Sequence, residues 1–318
     1  MVEPSWVGRR VSVRRVVERA PDGRLLFGDV VGDLVGLDAQ TAVVESRRGL
    51  VEIPLELIAL AKPVVASTAE ELELERLAAR GIRAAETEQL GGWVLRADHG
   101  FLRRANSVLP LGQPGMPLDE ALARAHDWYA ARGLPLRIAV PTEARRLLDA
   151  ELGERWWPIE TPAHLMTGRL DHLVAPAAEV TDVAVEAAPD DAWFALYRDG
   201  DSGGEAGRAL LTRHDRAVFA SVREGGHTVA IGRGSVDDGW LGVAGVEVAP
   251  DARRRGLATA VTAALWAWGR DQGATRSYLQ VEADNESALA LYARQGYRVH
   301  HDYRYRIEPS GEAESPAP

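Results

Sequence analysis

The stretch Val246–Thr259 reads VEVAPDARRRGLAT, and its pattern predicts a specific local fold. Alternating apolar residues ending at Val248 indicate a strand, and a Pro250–Asp251 turn follows. Three arginines then lead to Gly256 and to an apolar helical pattern. The first backbone N–H groups of such a helix lack partners within it, so they favour an anion such as a pyrophosphate. Gly256 also lets a ligand approach the backbone where a Cβ would obstruct it.

A second motif lies about one helix and one strand further along the chain. The segment Asn285–Tyr297 reads NESALALYARQGY. It resembles the second signature of the GNAT N-acetyltransferase superfamily, N-x-x-A-x-x-L-Y-x-x-x-G followed by Phe or Tyr. The spacing R-x-x-G-x-A at Arg253, Gly256 and Ala258 resembles the superfamily's acyl-CoA-binding motif. The match is close over residues 182–307 and looser upstream, and two motifs in this order are much harder to obtain by chance than one.

The resemblance implies an α/β (α+β) fold made of tandem GNAT-like acyltransferase lobes with a mixed central sheet. In such a fold the parallel strands that end at Val248 and Val281 splay apart. The pantetheine arm of acetyl-CoA, which acts as a co-substrate, enters the gap between them. Residues 180–308 are therefore expected to form the active acetyltransferase lobe.

The resemblance also assigns acetyl-CoA-binding residues within the two motifs. Backbone groups of Val246 and Val248 are expected to pair with the arm, and the Val248 N–H to steady the thioester oxygen. Backbone N–H groups at the helix start would hold the pyrophosphate, with arginine side chains adding long-range attraction. The complete predicted set is Val246, Val248, Arg253, Arg254, Arg255, Gly256, Leu257, Ala258, Thr259, Asn285, Ala288 and Tyr292.

Tyr292 matches the acid tyrosine of the superfamily. An amine attacks an acetyl thioester directly, so the reaction needs no enzyme nucleophile but gains from an acid for the departing thiolate. Tyr292 shares a helix face with Asn285 and Ala288. A phenol with an ordinary pKa of about 10 suits a CoA thiolate of similar basicity. Outside this motif, a helical tyrosine is more often a core residue.

The general base is less clearly defined by the sequence. Some superfamily members place a glutamate at the position of Gln280, which cannot take a proton at neutral pH. Glu247 and Glu282 are the neighbouring carboxylates, and either is otherwise an ordinary surface strand residue. A water-mediated relay is equally plausible, and of these alternatives we favour Glu247.

Composition narrows the chemistry further. The 318 residues are 46% hydrophobic and 26% charged, which is ordinary for a globular protein of two or three modules. No cysteine is present, so disulfides, thiolate catalysis and Cys-ligated metal are excluded. No metal site is predicted, because His300 and His301 are adjacent on a strand and should point to opposite faces.

Charge and hydropathy bear on location and partners. The net charge of −10 argues weakly against general nucleic-acid binding. Residues 1–10 lack an apolar leader region, and no run approaches the roughly 18 apolar residues that a membrane span needs. The expectation is a cytoplasmic protein without a membrane partner.

Residues 1–63 predict a small SH3-like β-barrel that acts as a docking or stabilising appendage. Its short strands are separated by turn sequences that include Gly32–Asp33. The first strand carries Arg9, Arg10, Arg14 and Arg15. These arginines could bind nucleic acid. A solvated strand face is the more common explanation, since no stacking aromatics accompany them. A protein partner or a homodimer is compatible with this appendage.

Residues 69–172 predict a degenerate GNAT-like lobe. Trp93–Arg96 and Phe101–Ala105 are predicted as strands around a turn. The segment Leu111–Gly115 lies where a phosphate loop would be, but it lacks R-x-x-G-x-A. We expect this lobe not to bind CoA but to wall the acceptor pocket. The polar segment Arg103–Ser107 has two open interpretations, a structural turn or a substrate-lining segment.

Three further segments are acidic or lie at the C-terminus. The acidic run that opens the helix predicted at Ala69–Arg80 is given no chemistry. Asp199, Asp201 and Glu205 either meet a cationic amine or are solvated loop acids. Residues 309–318 are expected to be a disordered tail.

The leading hypothesis is an acetyl-CoA-dependent N-acetyltransferase. It would transfer an acetyl group to a primary amine of a small molecule or of a peptide or protein. The alternative is a catalytically weak acyl-CoA sensor that docks a partner through residues 1–63, and the missing glutamate at Gln280 is its best support. A third hypothesis makes residues 1–63 a nucleic-acid-binding unit.

Overall fold

The N-terminal region forms a five-stranded antiparallel sheet. In the computed structural model, which describes residues 2–46, 48–64, 67–175, 182–201 and 203–309, the strand order is β4-β3-β2-β1-β5. The strands are β1 (Arg10–Arg19), β2 (Leu25–Leu37), β3 (Thr41–Ser46), β4 (Gly49–Pro54) and β5 (Ile58–Pro63). This sheet has a core of its own, which includes the fully buried side chains of Val11, Val13, Leu34 and Val44.

The predicted SH3-like barrel is not confirmed. Within the described residues the edge strands β4 and β5 do not pair with each other, so the sheet is not closed by hydrogen bonds. The predicted turn at Gly32–Asp33 is wrong, because both residues continue β2. Gly32 is needed there for a close approach, since a Cβ would lie 2.2 Å from the Glu45 carbonyl oxygen.

The middle region alternates helices and strands. Its elements are α1 (Thr68–Gly81), β6 (Glu86–Leu90), β7 (Trp93–Ala97), β8 (Leu109–Pro110), α2 (Leu118–Ala130), β9 (Arg137–Pro141), α3 (Arg146–Glu154) and β10 (Ile159–Arg169). A capping box formed by Ser67 and Glu70 begins α1. β6, β7 and β8 form a separate three-stranded sheet.

The strand predicted at Phe101–Ala105 is wrong. β7 pairs with β6, which precedes it across Gly91–Gly92, and with β8, whereas Arg103–Ala105 form a 3₁₀ turn. This turn is fixed by Asn106, whose side chain accepts hydrogen bonds from the N–H groups of Asp98 and Gly100 and donates to the Leu102 carbonyl. Those local bonds replace a strand ladder.

The C-terminal region carries the two sequence motifs. Its elements are β11 (Ala184–Glu186), α4 (Asp191–Leu196), α5 (Gly204–Thr212), β12 (Ala217–Glu224), β13 (His227–Asp237), β14 (Trp240–Val248), α6 (Leu257–Asp271), β15 (Arg276–Glu282), α7 (Glu286–Arg294) and β16 (Arg298–Ile307). The predicted tail beyond residue 309 lies outside the described residues, as do residues 176–181. Among the described helices, none has the length and apolar character required to cross a membrane.

Strands of the middle and C-terminal regions pair with each other within one sheet of eight strands. Its order is β11-β12-β13-β14-β15-β10-β16-β9. β10 from the middle region lies between β15 and β16, and β16 lies between β10 and β9. Only the β14–β15 pair among these neighbours is parallel, so the sheet is mixed as predicted. The boundary drawn between the lobes at residues 172–180 therefore divides the chain but not the sheet.

The parallel pair β14 and β15 separates part of the way along. Their pairing covers Trp240–Val243 against Arg276–Leu279 and ends there. Beyond it, the register of β14 against β13 shifts between Ala244 and Glu247, and Gly245 in this bulge has a positive φ of 59°. The apolar face of α6 packs beneath these strands, with Leu257, Val261 and Leu265 buried. A gap therefore opens between the two strand ends, beside the start of α6.

Candidate active site

The end of β14 directs backbone groups that do not pair with β13 into this gap. The Ala249 N–H donates to the Val229 carbonyl across the β13–β14 ladder, at 2.9 Å. Successive backbone groups of a strand alternate in direction, so the N–H and carbonyl of Val248 point away from β13 and into the gap. The Val248 N–H therefore faces the gap, and Val246 lies in the bulged segment just before it. Their contacts with acetyl-CoA stay predictions.

The helix α6 begins without a capping side chain. Gly256 is its N-cap, with φ of 80°, and no side chain accepts a hydrogen bond from the first turn. The first intrahelical bond is donated by Ala260 to the Gly256 carbonyl. The N–H groups of Leu257, Ala258 and Thr259 consequently face out of the helix start, where the helix dipole favours an anion.

Two of the three motif arginines have protein partners. Nε of Arg253 donates to the Val248 carbonyl at 3.3 Å. The Arg255 guanidinium makes a bidentate ion pair with Glu224, at 2.7 and 2.9 Å. Arg254 is exposed and adopts a positive φ of 62°. The ion pair holds the Arg255 side chain against Glu224 of β12.

The second motif forms the start and the inner face of α7. The Asn285 side chain caps the helix, accepting from the Ala288 N–H at 3.1 Å and from the Ser287 hydroxyl at 3.0 Å. Both of these contacts use the side-chain oxygen and leave its amide nitrogen without a hydrogen bond to another described residue. Tyr292 is 8% exposed and packs edge-on against Tyr297, with ring centroids 5.8 Å apart. Burial raises the pKa of Tyr292, so its hydroxyl retains its proton at neutral pH.

Glu247 faces away from α6, toward the segment after α4. Its Oε2 accepts a hydrogen bond from the Arg198 backbone N–H at 2.8 Å. Arg198 and Asp199 both have positive φ values, 50° and 53°, a strained geometry for residues other than glycine. Burial raises the pKa of Glu247, and the charge of Asp199 adds to the rise. The carboxylate is therefore a stronger base than an exposed glutamate.

The end of β15 faces the 3₁₀ turn of the middle region. Nη1 of Arg104 donates to Oε1 of Gln280 at 3.2 Å, and Nη2 of Arg103 donates to Oε1 of Glu282 at 2.7 Å. The Arg103–Ser107 segment thus lies against the gap. Of the two sequence-based interpretations, its contacts favour a lining segment, although Asn106 also makes it a well-defined turn.

An aromatic wall beside Glu247 was not identified from the sequence. Tyr197 stacks on Trp193, with ring centroids 5.3 Å apart and planes at 19°, and Phe101 lies 6.4 Å from Tyr197. Phe101 belongs to the middle region and Tyr197 to the C-terminal region, so the wall exists only when the regions meet. The aromatic run around Trp193 and Phe194 is the sequence signal that could have indicated this wall.

The segment predicted to be a degenerate phosphate loop uses its backbone internally. The Gly92 N–H donates to the Gln113 carbonyl at 2.6 Å, and the Gly112 N–H donates to the Gly92 carbonyl at 2.8 Å. These bonds tie the segment to the β6–β7 turn. Its inability to bind CoA remains a prediction, which this bonding supports.

The histidine pair is not arranged as predicted. His300 is the extra residue of a bulge, because Leu165 pairs with His301 and the next residue, Met166, pairs with Val299. The Nδ1 atoms of His300 and His301 consequently lie 2.9 Å apart rather than on opposite faces. Across the described ranges, no group of three or more His, Asp or Glu side chains could hold a metal ion.

Comparison with known proteins agrees with this architecture. The chain is 31% identical over 314 residues to the "Probable histone acetyltransferase Rv0428c" of Mycobacterium tuberculosis, covering 95% of this chain and 96% of that one. A GCN5-related N-acetyltransferase from Kribbella flavida superposes with a TM-score of 0.58 at 21% identity, covering 79% of this chain and 98% of that one. A tandem GNAT protein from the clavulanic acid biosynthesis pathway gives 0.53 at 13% identity, covering 78% and 96%.

Fold and site together define an acetyltransferase of the GNAT superfamily. Residues 68–306 match the family described as "Probable histone acetyltransferase Rv0428c C-terminal". The chain belongs to that family.

Proposed function

We propose that this protein is an acetyl-CoA-dependent N-acetyltransferase that acetylates a primary amine by direct attack. The observation that carries the proposal is the gap between β14 and β15, which opens beside the uncapped start of α6. A narrow gap with a free strand edge fits an extended amide-containing arm, and the helix start fits a pyrophosphate. The residues present therefore fit acetyl-CoA.

The binding roles follow from these positions. The Val248 N–H pairs with the arm, and the N–H groups of Gly256 to Thr259 hold the pyrophosphate. Arg253 and Arg254 add positive potential at the mouth of the gap, and the Asn285 amide contacts the arm. Leu257 and Ala288 shape the walls of the gap through packing.

The chemical step needs a base and an acid. The amine nitrogen attacks the acetyl carbonyl carbon, a C–N bond forms, and the C–S bond breaks. Glu247 takes the proton that the nitrogen loses, directly or through one water, and Tyr292 gives its proton to the departing sulfur. The Val248 N–H stabilises the negative charge that develops on the carbonyl oxygen. The lack of cysteine agrees with action in a reducing compartment such as the cytoplasm.

The alternative proposal, an acyl-CoA sensor, is favoured by one observation. The side chain at position 280 is an amide that binds Arg104, so it supplies no base. In that case the N-terminal sheet, which contacts the last strand through an Arg9–Asp302 ion pair of 3.1 Å, would carry the partner surface.

Release of free CoA thiol from acetyl-CoA distinguishes the two. The full-length protein is mixed with acetyl-CoA and a panel of small amines, amino acids and a lysine-rich peptide, with no-amine and no-protein controls. Amine-dependent thiol release with matching acetylated product supports the enzyme. Binding of acetyl-CoA without amine-dependent release from any member would contradict it and support the sensor.

A further inference from the structure

Arg104 is a partly buried cation with no acidic partner. It lies in the 3₁₀ turn Arg103–Ala105, and its Nη1 contacts the neutral amide of Gln280 at 3.2 Å. Among the described residues, no carboxylate lies within ion-pair distance of its guanidinium. Its neighbour Arg103, in contrast, is paired with Glu282.

Arg233 adds a second cation on the same face of the sheet. It is 2% exposed, and its Nε donates to the Leu211 carbonyl at 2.8 Å. Its Nη2 has no hydrogen-bond partner among the described residues. Burial, followed by nearby charges that include Arg104, lowers the pKa of Arg233 to about 10, which leaves it charged at neutral pH.

Among the described residues, the groups closest to Arg104 in their electrostatic effect are tyrosines. Tyr197, Tyr278, Tyr303 and Tyr305 surround Arg104, and burial raises the pKa of each. They are therefore neutral at physiological pH.

Four carboxylates on the neighbouring elements β15, β14, β13 and α1 already have partners. Glu282 binds Arg103, Glu247 accepts from Arg198, Asp237 contacts His214 and Glu75 contacts His301.

Buried charges are normally paired, because desolvating an unpaired ion is costly. An anion at Arg104 would resolve this imbalance. The residue at position 280 is important here: a glutamate would neutralise Arg104, whereas Gln280 orients the guanidinium and leaves its charge uncompensated. The partial exposure of Arg104, Gln280 and Glu247 leaves this part of the gap open to a small molecule.

We propose that the acceptor is a small amine that also carries a carboxylate, as an amino acid does, and that Arg104 binds this carboxylate. The proposal rests on the proposed function for the place of the amine, which faces Glu247 while the carboxylate lies against Arg104. A guanidinium matches a planar carboxylate through its fork of N–H donors. Arg233 lies behind Arg104 and strengthens the positive potential.

Direct binding tests the proposal without depending on turnover. Calorimetry with the full-length protein, in the presence of saturating CoA, compares L-phenylalanine with phenethylamine and L-leucine with isopentylamine. Each pair differs only in the carboxylate. For the wild type the amino acid should bind about 10- to 100-fold more tightly, as expected for a charge-assisted hydrogen bond.

Three variants show whether Arg104 causes the preference. Arg104→Gln should reduce the preference to near unity while CoA binding persists, and Arg104→Lys should restore part of it. Arg124→Gln, on the exposed face of α2 and paired with Glu120, is the matched control and should keep the full preference. A wild type that binds both members of each pair alike, or neither, would overturn the proposal. So would an Arg104→Gln variant that keeps the preference, or a lysine-rich peptide that binds more tightly than the amino acids.

Thiol release in the same mixtures reports acetyl transfer separately. Selective binding of the amino acids through Arg104 without thiol release would support the carboxylate site and contradict the assignment as an enzyme. If the amines without a carboxylate are acetylated as efficiently as the amino acids, the assignment as an enzyme is supported and the carboxylate site is contradicted.

Discussion

His301 Nε2 lies 2.9 Å from Oε1 of Glu75, and both side chains are at least 95% buried. The contact joins α1 of the middle region to β16, the last strand of the chain. Because β16 is one of the strands that pair across the two regions, this polar contact helps to hold the two regions together.

Removing the Glu75 carboxylate should therefore destabilise the protein. In Glu75→Ala, His301 loses its partner in a buried environment, which should lower the free energy of unfolding by about 2–3 kcal/mol. Denaturant unfolding followed by far-UV circular dichroism measures the change. Glu73→Ala is the control, because Glu73 lies on the exposed side of α1 and pairs with Arg76, and should cost less than about 0.5 kcal/mol. Equal stabilities for the two variants would contradict the proposed role of the contact.

His300 should make stability depend on pH. Burial, with a contribution from His301, lowers the pKa of His300 to about 4, against about 6.5 in the unfolded chain. Between these values the unfolded state binds more protons, so stability is complete above pH 6.5 and declines as the pH falls toward 4. The expected slope is at most about 1.4 kcal/mol per pH unit.

His300→Gln should flatten this dependence. The measurement is the free energy of unfolding at a series of pH values from 7 to 4, for both proteins. His172→Gln is a suitable control, since His172 is an exposed histidine. An unchanged slope in His300→Gln would exclude His300 as the titrating group.

Tyr292→Phe should reduce the rate of acetyl transfer and leave acetyl-CoA binding almost unchanged. Loss of a general acid typically costs about 10²- to 10⁴-fold. Tyr297→Phe is a matched control, because its hydroxyl bonds Ser277 and Trp266 within the core; it should lower stability by about 1 kcal/mol and keep the rate. Steady-state kinetics and calorimetry on both variants provide the comparison. A Tyr292→Phe enzyme with wild-type kcat would rule out this acid.

The pH profile of kcat/KM identifies the base. Because burial raises the pKa of Glu247, kcat/KM should increase with pH through a limb centred above the ordinary glutamate value of about 4.3. Glu247→Gln should remove this limb and lower the rate. Glu282→Gln tests the other carboxylate and should keep the limb, since Glu282 is paired with Arg103 at the surface. The opposite result would assign the base to Glu282.

Much of the C-terminal region could be predicted from sequence because its signals are local. The strand, turn and helix start around Gly256 and the α7 cap at Asn285 are each encoded within a few residues. The β6 strand was missed because four of its five residues are polar, E-T-E-Q, and exposed, so no apolar alternation marked it. The bulge at His300 depends on its pairing with Leu165 and Met166 of β10, which lie about 135 residues earlier, and no local pattern reports it.

The candidate site shows the same limit. Tyr292 and Val248 are identified by motif spacing, whereas Arg104 and Phe101 reach the gap only because the middle region packs against β15. Likewise, Glu71 and Glu75 belong to an acidic run that looks like an ordinary helix start, yet both are buried. Pairing of β10 and β16 across the regions is a long-range arrangement that a linear sequence pattern does not encode.

We propose that the start of α6 binds acetyl-CoA, and calorimetry tests this binding directly. Gly256→Glu places a carboxylate where the pyrophosphate is proposed to lie, and Gly273→Glu introduces the same residue at the opposite end of α6. Both glycines have positive φ, 80° and 84°, so the two variants carry comparable backbone strain. We predict that the wild type and Gly273→Glu bind acetyl-CoA and that Gly256→Glu does not. If Gly256→Glu binds acetyl-CoA as tightly as the wild type, or if the wild type does not bind it, then the start of α6 is not the acetyl-CoA site.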